Sequence, residues 1–198
     1  MNWRSGLLII LVLCQSGCVT LFGWDIHAPA VLSQLFYDKV IPGKERVALY
    51  LPPDLIAYQS KNRGGRFADP QTYHVGEAFV PMVIEGLQYA FQEFILMETE
   101  PTPDILKRYG ISYLMVMRIK DFGNRVTLKG QAVELETVVL IYDSELHFVK
   151  GIKARGSSDA QKVFAKKGGP EVNLNAAIEN NVIATIQLLQ DYIHENKE

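Results

Sequence analysis

Three stretches of alternating apolar and polar residues follow one another closely in the second half of the chain. They span residues 113–122, 131–142 and 146–154, with turn residues at Gly123-Asn124 and at Asp143-Ser144-Glu145. A period of two is typical of β-strands. Consecutive strands joined by tight turns run antiparallel. This region therefore predicts an antiparallel sheet at the centre of the fold.

Two longer stretches repeat their apolar residues every three or four positions, which indicates helices. The first spans residues 77–94, with Pro81 tolerated only if it lies in the first turn. The second spans residues 174–194. A strand over 45–51, a short strand over 95–97 and a helical turn over 102–109 complete the order. The order predicts an α+β two-layer sandwich, with a mostly antiparallel sheet of four or five strands and both long helices on one face.

Composition places this predicted domain, residues 45–198, among ordinary globular proteins. Hydrophobic residues make up 48% of the 198 residues and charged residues 21%, which suits one folded domain. The formal net charge of -2 does not favour nucleic acid, because nucleic-acid-binding domains are usually strongly basic. We expect no nucleic-acid partner.

The N-terminus has the form of a secretory signal. Arg4 supplies a positive charge ahead of an apolar run, residues 6–14. The run is shorter than the roughly 20 apolar residues that span a bilayer. Cys14 and Cys18 are the only cysteines. After cleavage before Cys18, the mature chain could form no internal disulfide and no thiolate metal site. We expect no cofactor.

The sequence Gln15-Ser16-Gly17-Cys18 resembles a lipobox, the cleavage motif of bacterial lipoproteins, although Gln15 stands where an aliphatic residue is usual. The resemblance implies a signal peptide over 1–17 and lipid on the Cys18 sulfur and amine, followed by a lipidated tether and lead-in over 18–44. Val19 implies the outer membrane, with the domain in the periplasm. About 25 residues would separate the lipid from the first strand. A plain secretory signal and a retained N-terminal anchor are the alternatives.

No catalytic motif stands out. The four histidines (His27, His74, His147 and His194) have no metal-ligand spacing, and no GxSxG elbow is present. We expect no metal site. Glu134 and Glu136 could be a hydrolytic pair, or could form cross-strand ion pairs with Lys150, Lys153 or Arg155. We expect the ion pairs, and a protein that is not an enzyme.

Charge is unevenly distributed along the chain. Acidic residues accumulate between 67 and 106, and basic residues between 150 and 167. The two regions either polarise the domain or lie side by side and neutralise one another. We predict a contact surface for an acidic partner or an anion, formed by the basic strand and loop over residues 150–167 together with the arginines beside Gly64-Gly65. Its candidate residues are Arg63, Arg66, Lys150, Lys153 and Arg155.

The order of elements over residues 45–194 resembles that of small periplasmic accessory lipoproteins, such as the lipopolysaccharide-assembly lipoprotein and the activator lipoproteins of penicillin-binding proteins. The resemblance implies a non-enzymatic accessory factor that binds a protein partner in an envelope complex. Two alternatives remain open. One is a lipoprotein that binds lipid or glycan in a cleft beside the helices, and the other is a hydrolase with a site assembled from distant residues.

Overall fold

The computed structural model describes residues 23–63, 70–127, 130–158 and 169–195. Cys18, the predicted signal peptide and Arg66 lie outside these ranges. The described residues form strands β1 (Trp24–Ile26), β2 (Gly43–Tyr50), β3 (Ser60–Asn62), β4 (Gln71–Tyr73), β5 (Phe91–Met97), β6 (Tyr113–Thr127), β7 (Gly130–Asp143) and β8 (Phe148–Ser157), and helices α1 (Gln34–Lys39), α2 (Pro53–Ile56), α3 (Val75–Ala90), α4 (Pro103–Arg108) and α5 (Pro170–Glu195). None of these helices is both long and apolar enough to cross a membrane.

The main sheet has the strand order β5-β2-β6-β7-β8. The β6-β7-β8 half is antiparallel, as predicted. The other half is parallel, because β2 pairs in parallel with both β5 and β6. The prediction of a mostly antiparallel sheet is therefore wrong for this half. Helix α3 precedes β5 and helix α4 precedes β6, and each returns the chain so that the next strand runs in the same direction.

The β6–β7 hairpin is longer than the sequence predicts. Its pairing continues to Thr127 and Gly130, so the predicted turn at Gly123-Asn124 lies inside β6. Glycine and asparagine are common in turns, but they do not form one at this place. Strands β6 and β7 stay paired through Gly123 and Asn124.

Helix α3 starts and ends earlier than predicted. It ends at Ala90, and Phe91 and Phe94, which fall inside the predicted helix, lie on β5. Residues 91–97 are rich in aromatic and aliphatic side chains that suit strands. Their spacing fits both periods, so periodicity could not separate helix from strand. Because α3 begins at Val75, Pro81 lies in its second turn and not in its first.

The principal core lies between one face of the main sheet and helices α1, α3 and α5. Gly86 of α3 faces Phe36 of α1 and Val182 of α5 so closely that a Cβ would collide with Val182. On the opposite face, α4 covers one end of the sheet through a smaller cluster that comprises Ala48, Met97, Leu106, Ile111 and Leu114. The α+β class is confirmed, but the layers differ from the predicted two because both sheet faces carry some helix.

A second sheet, with the order β1-β4-β3, forms from parts of the chain that the sequence assigns to the lead-in and to a loop. Tyr73 of β4 is fully buried, and its ring centroid lies 5.1 Å from that of Phe122 on β6. Its hydroxyl donates to Gln71 Oε1 at 2.8 Å and accepts from Gln131 Nε2. Burial raises the pKa of this hydroxyl. These contacts hold the second sheet against the long β6–β7 hairpin.

Helix α5 approaches β7 and β8 at backbone distance. The Asn181 amide donates to the carbonyl oxygens of Leu135 and Ala154, both at 3.2 Å, and its oxygen accepts from the Thr137 hydroxyl at 2.9 Å. Gly156 lies directly beneath this contact. Since α5 is fixed to this face, the side chains that point the other way from β7 and β8 form the open face of the sheet.

Candidate functional site

Four basic side chains gather on the open face. Arg118 and Lys153 are both register partners of Val138, so the three side chains lie side by side on one face. Arg155 pairs in register with Glu136, and Lys120 reaches the same carboxylate. We call Arg118, Lys120, Lys153 and Arg155 the basic strip.

Glu136 is the acidic centre of this strip. One carboxylate oxygen accepts from Lys120 Nζ, and the other accepts from Arg155 Nε at 2.7 Å. These hydrogen bonds, first from Lys120 and then from Arg155, lower the pKa of Glu136 below its ordinary value. Its side chain is 11% exposed beneath the two cations, while that of Arg155 is 82% exposed. The prediction of cross-strand ion pairs is confirmed for Glu136.

Arg118 and Lys153 differ from the other two because they form no ion pair with any described residue. Both are exposed, and Val138 between them is half-buried. Val116 and Leu140 continue the apolar floor along the register. The open face thus combines uncompensated positive charge with an apolar surface, a combination suited to binding an acidic surface.

The predicted contact residues do not form one surface. Lys153 and Arg155 lie on the strip, but Lys150 lies on the opposite face, with its Nζ 4.7 Å from the centroid of the Tyr192 ring in α5. Arg63 follows β3 in the second sheet and is exposed, and Arg66 is outside the described residues. Placing Lys150 on one surface with Lys153 and Arg155 was therefore wrong, whereas a shared role for Arg63 stays a prediction.

Arg118 and Lys120 were missed by the sequence reasoning. A signal for both was present: they alternate along β6 with Met117 and Ile119, whose side chains face the core. The alternation fixes their face, although only the register shows that they lie beside Lys153 and Arg155.

The strands of the acidic and basic regions do not lie side by side, while residues 159–167 of the basic region lie outside the described residues. Strand β5, which belongs to the acidic region, and strand β8, which belongs to the basic one, form opposite edges of the main sheet with three strands between them. On β5, Glu93 pairs with Arg46 of β2, which neutralises part of that edge. The alternative in which the two regions neutralise one another is wrong for β5 and β8, because Glu93 pairs with Arg46 and not with a residue of β8.

Glu134 and Glu136 line a polar cavity of about 280 Å³ together with Asp121, Arg155 and Ser157. Glu134 lies 3.7 Å from Arg125, and Glu136 is held by two cations. A hydrolytic pair needs one carboxyl group that keeps its proton. The lowered pKa of Glu136 opposes that role.

A second cavity, of about 240 Å³, opens between the C-terminal turns of α5 and the start of β6. Its walls are mainly apolar, and Arg46 and Glu45 also line it. Burial raises the pKa of the Tyr192 hydroxyl on its α5 side. Its lining includes Val47, Tyr113, Met115, Ile141, Leu189, Tyr192 and Ile193.

Two of the four histidines meet in space. His27 and His74 stack with ring centroids 4.1 Å apart, and Glu77 contacts both rings. His147 lies apart from them, 3.3 Å from Asp143, and His194 lies in the last turn of α5. The sequence offered no signal for the meeting of His27 with the other two, because the second sheet brings it to them.

No protein-family model matches the chain, and no curated protein matches its sequence. Its fold is similar to solved structures at low identity. The hypothetical protein CT253 from Chlamydia trachomatis matches with a TM-score of 0.42 and 8% identity, covering 76% of this chain and 95% of that one. The lipoprotein GNA1162 from Neisseria meningitidis matches with a TM-score of 0.38 and 6% identity over 75% and 99%. The PelC dodecamer from Paraburkholderia phytofirmans matches with a TM-score of 0.41 and 9% identity over 75% and 91%. At TM-scores below 0.5 these likenesses carry no conclusion about function.

Proposed function

We propose that this chain is a bacterial lipoprotein, anchored to the outer membrane by lipid on Cys18, whose periplasmic domain is a non-enzymatic accessory factor. On this proposal the open face of the main sheet binds an acidic surface of a partner protein in an envelope complex. The observation that most supports this proposal is the pair of exposed cations, Arg118 and Lys153, on either side of the apolar Val138. Neither cation has a carboxylate partner among the described residues.

The strip is held in place before any partner arrives. Lys120 and Arg155 are held by their shared carboxylate, Glu136. The register of β6, β7 and β8 sets the backbone spacing of the other two cations, Arg118 and Lys153. Preorganised charge reduces the entropy lost on binding. The same charge speeds the encounter with an acidic partner and makes it sensitive to salt.

The anchor limits where this face can work. Strand β1 begins at Trp24, only six residues after Cys18, so a fully extended tether reaches about 20 Å. The sequence-based expectation of about 25 intervening residues is wrong, because β1 lies inside the predicted lead-in. A domain this close to the membrane would meet partners at the bilayer surface.

Substitution of Cys18 tests the anchor. We expect Cys18→Ala to block processing or to release the chain from membranes, since several acyl chains give stable anchoring at about 0.8 kcal/mol per buried methylene. Fractionation of envelopes and the intact mass of the mature chain measure both effects. A Cys18→Ala chain that is processed normally and stays in the membrane fraction contradicts the lipid anchor.

Charge reversal tests the binding face. Chemical cross-linking in intact envelopes, followed by detergent extraction, measures how much partner each chain recovers. The control is Lys39→Glu/Lys61→Glu, which changes the net charge by the same amount but at positions on α1 and β3. The wild type and this control should recover the same partner. We expect Arg118→Glu/Lys153→Glu to reduce that recovery at least about tenfold, a loss of roughly 1.4 kcal/mol.

Equal recovery from the charge-reversed chain contradicts the proposal. Sedimentation with phosphatidylglycerol vesicles separates a second possibility. If the wild type binds these vesicles and the reversed chain does not, the strip recognises lipid headgroups, and the protein-binding role is overturned.

The cavity beside α5 supports a second candidate function, the binding of a small apolar ligand. Its 240 Å³ is below the range of about 300–1,000 Å³ that is usual for ligand sites, so it suits a single ring or a short acyl segment. Native mass spectrometry of the gently extracted chain should then show an added mass that Ile193→Trp removes. The same mass in both chains contradicts this role.

A further inference from the structure

We infer that His27, His74 and Glu77 form a binding site for a divalent transition-metal ion of the zinc class. The inference rests on the geometry of these side chains and is independent of the proposed partner-binding role. One ligand atom from each residue lies within 4.8 Å of the other two.

The fold brings the ligands together through the second sheet. Asp25 and His27 lie two positions apart on either side of the buried Ile26, so they project from the same side of β1. The backbone N–H of His74, just after β4, donates to the Ile26 carbonyl at 3.1 Å. Helix α3 begins directly after His74, and Glu77 is its third residue. Strand pairing and the start of one helix therefore set the positions of all four side chains.

The distances between the ligand atoms are close to those of a coordination sphere. Glu77 Oε2 lies 3.0 Å from His27 Nδ1 and 3.7 Å from His74 Nδ1. In tetrahedral zinc sites with bonds of about 2.0–2.2 Å, neighbouring ligand atoms lie roughly 3.3–3.5 Å apart. Rotation of the side chains, without movement of the backbone, would bring the three atoms to this spacing.

The surroundings of His74 prepare its Nδ1 atom for a metal. Its Nε2 lies 3.4 Å from Asp25 Oδ1, and its Nδ1 lies 3.1 Å from the Gln59 amide nitrogen. Both contacts are satisfied when Nε2 carries the proton and Nδ1 keeps its lone pair. A carboxylate that orients the second ring nitrogen in this way is typical of metal-ligating histidines.

The two imidazoles must turn for an ion to bind. They are stacked at an interplanar angle of 16°, whereas a bound ion lies near the plane of each ring that holds it. The side chain of His27 is 50% exposed and that of His74 only 19%. We expect His27 to turn, and Gln59 to yield its place beside His74.

The three ligand atoms favour one class of metal ion over others. Two imidazole nitrogens and one carboxylate oxygen suit Zn²⁺ and its neighbours in the first transition row, and disfavour Ca²⁺ and Mg²⁺, which prefer oxygen ligands alone. A water molecule would complete the tetrahedron. A bound ion would join the end of β1 to the start of α3, and so would fasten the first described strand to the main body.

Calorimetric titration tests the site on the full chain, purified in detergent with a tag that contains no histidine and stripped with a chelator. We expect one Zn²⁺ per wild-type chain, with visible absorption when Co²⁺ replaces it. His27→Ala and Glu77→Gln, both exposed positions, should abolish binding, and Asp25→Asn should weaken it about 10–100-fold. His147→Ala, which removes a histidine from a comparable exposed pair with Asp143, should leave it unchanged.

Thermal unfolding in chelator shows that each variant is folded. Addition of Zn²⁺ should raise the unfolding temperature of the wild type and of His147→Ala, raise that of Asp25→Asn less, and leave those of His27→Ala and Glu77→Gln unchanged. Two results overturn the site: no binding by the wild type, or equal binding by the wild type and by His27→Ala or Glu77→Gln.

Discussion

Gly156 shows how one residue sets the distance between α5 and the sheet. A Cβ at this position would overlap the Ala177 carbonyl oxygen and the Asn181 amide nitrogen, which are backbone atoms on α5. Because neither atom can move alone, Gly156→Ala would push the whole helix away and disturb the hydrogen bonds of Asn181. We expect the free energy of unfolding to fall by about 3 kcal/mol, the upper end of the usual cost of an added methyl in a packed site.

Urea unfolding of the wild type and of two variants measures this loss. Gly123→Ala is the matched control, because its Cβ would meet nothing nearer than the Glu134 Cβ at 3.9 Å, and we expect a change within about 0.5 kcal/mol. Similar effects of the two substitutions would show that α5 does not rest on Gly156.

Glu136 should give the domain a defined dependence on pH. Lys120 and Arg155 lower its pKa in the folded protein below the ordinary value of 4.5, so ionised Glu136 stabilises the folded state. We expect the wild type to exceed Glu136→Gln in stability above that value, and the difference to disappear as the pH falls through the lowered pKa.

The free energy of unfolding of both chains, measured across acid and neutral pH, tests this. The control is the same substitution in a Lys120→Met/Arg155→Met background, where the pH-dependent difference should be absent. A difference that persists unchanged into strong acid would contradict the ionised state of Glu136.

At the residue scale, part of the basic strip could be read from the sequence and part could not. Lys150 and Lys153 are three positions apart on one strand, so alternation alone places them on opposite faces. Lys153 and Arg155, two apart, share a face. The meeting of His27 with His74 had no such signal, since it depends on the pairing of β1 with β4.

Among the elements, α3 lacks one internal hydrogen bond that a substitution can restore. Pro81 is the seventh residue of this helix, so it has no N–H to donate to the Glu77 carbonyl four residues earlier. Pro81 is exposed. We expect Pro81→Ala to raise the free energy of unfolding by about 1–3 kcal/mol, because proline inside a helix costs about 3 kcal/mol relative to alanine.

Pro103 offers the matched control for this change. It is the first residue of α4, where the missing N–H would have no partner in any case, so Pro103→Ala should give no gain. Thermal unfolding of both variants is the measurement. A loss of stability in Pro81→Ala would show that the proline fits the helix without cost.

At the element scale, the sequence predicts the strands and helices that are long enough to show a periodic pattern. The strands around 45–51 and over 113–154, the helical turn at 102–109 and the long final helix are confirmed. Strands β1, β3 and β4 have three residues each, too few for alternation to show. The parallel pairing of β2 with β5 and β6 also has no signal in the sequences of these strands. The helices between the strands set the direction in which each strand runs.

On the scale of the whole molecule, the two faces of the main sheet differ in what covers them. Helices cover one face, α4 covers one end of the other, and the basic strip lies on the exposed part of that other face. With β1 beginning six residues after Cys18, lipid on Cys18 would keep β1 within about 20 Å of the bilayer. Because helices cover the face opposite the basic strip, we expect a partner to bind the open face and not the helical one.

A photo-cross-linking residue placed in the full chain in living cells tests this most directly. At Val138, between Arg118 and Lys153, it should give a discrete protein adduct that Arg118→Glu/Lys153→Glu removes. At Leu188, which is 39% exposed on α5, it should give none. An adduct at Leu188 without one at Val138, or a Val138 adduct that survives charge reversal, would contradict the account.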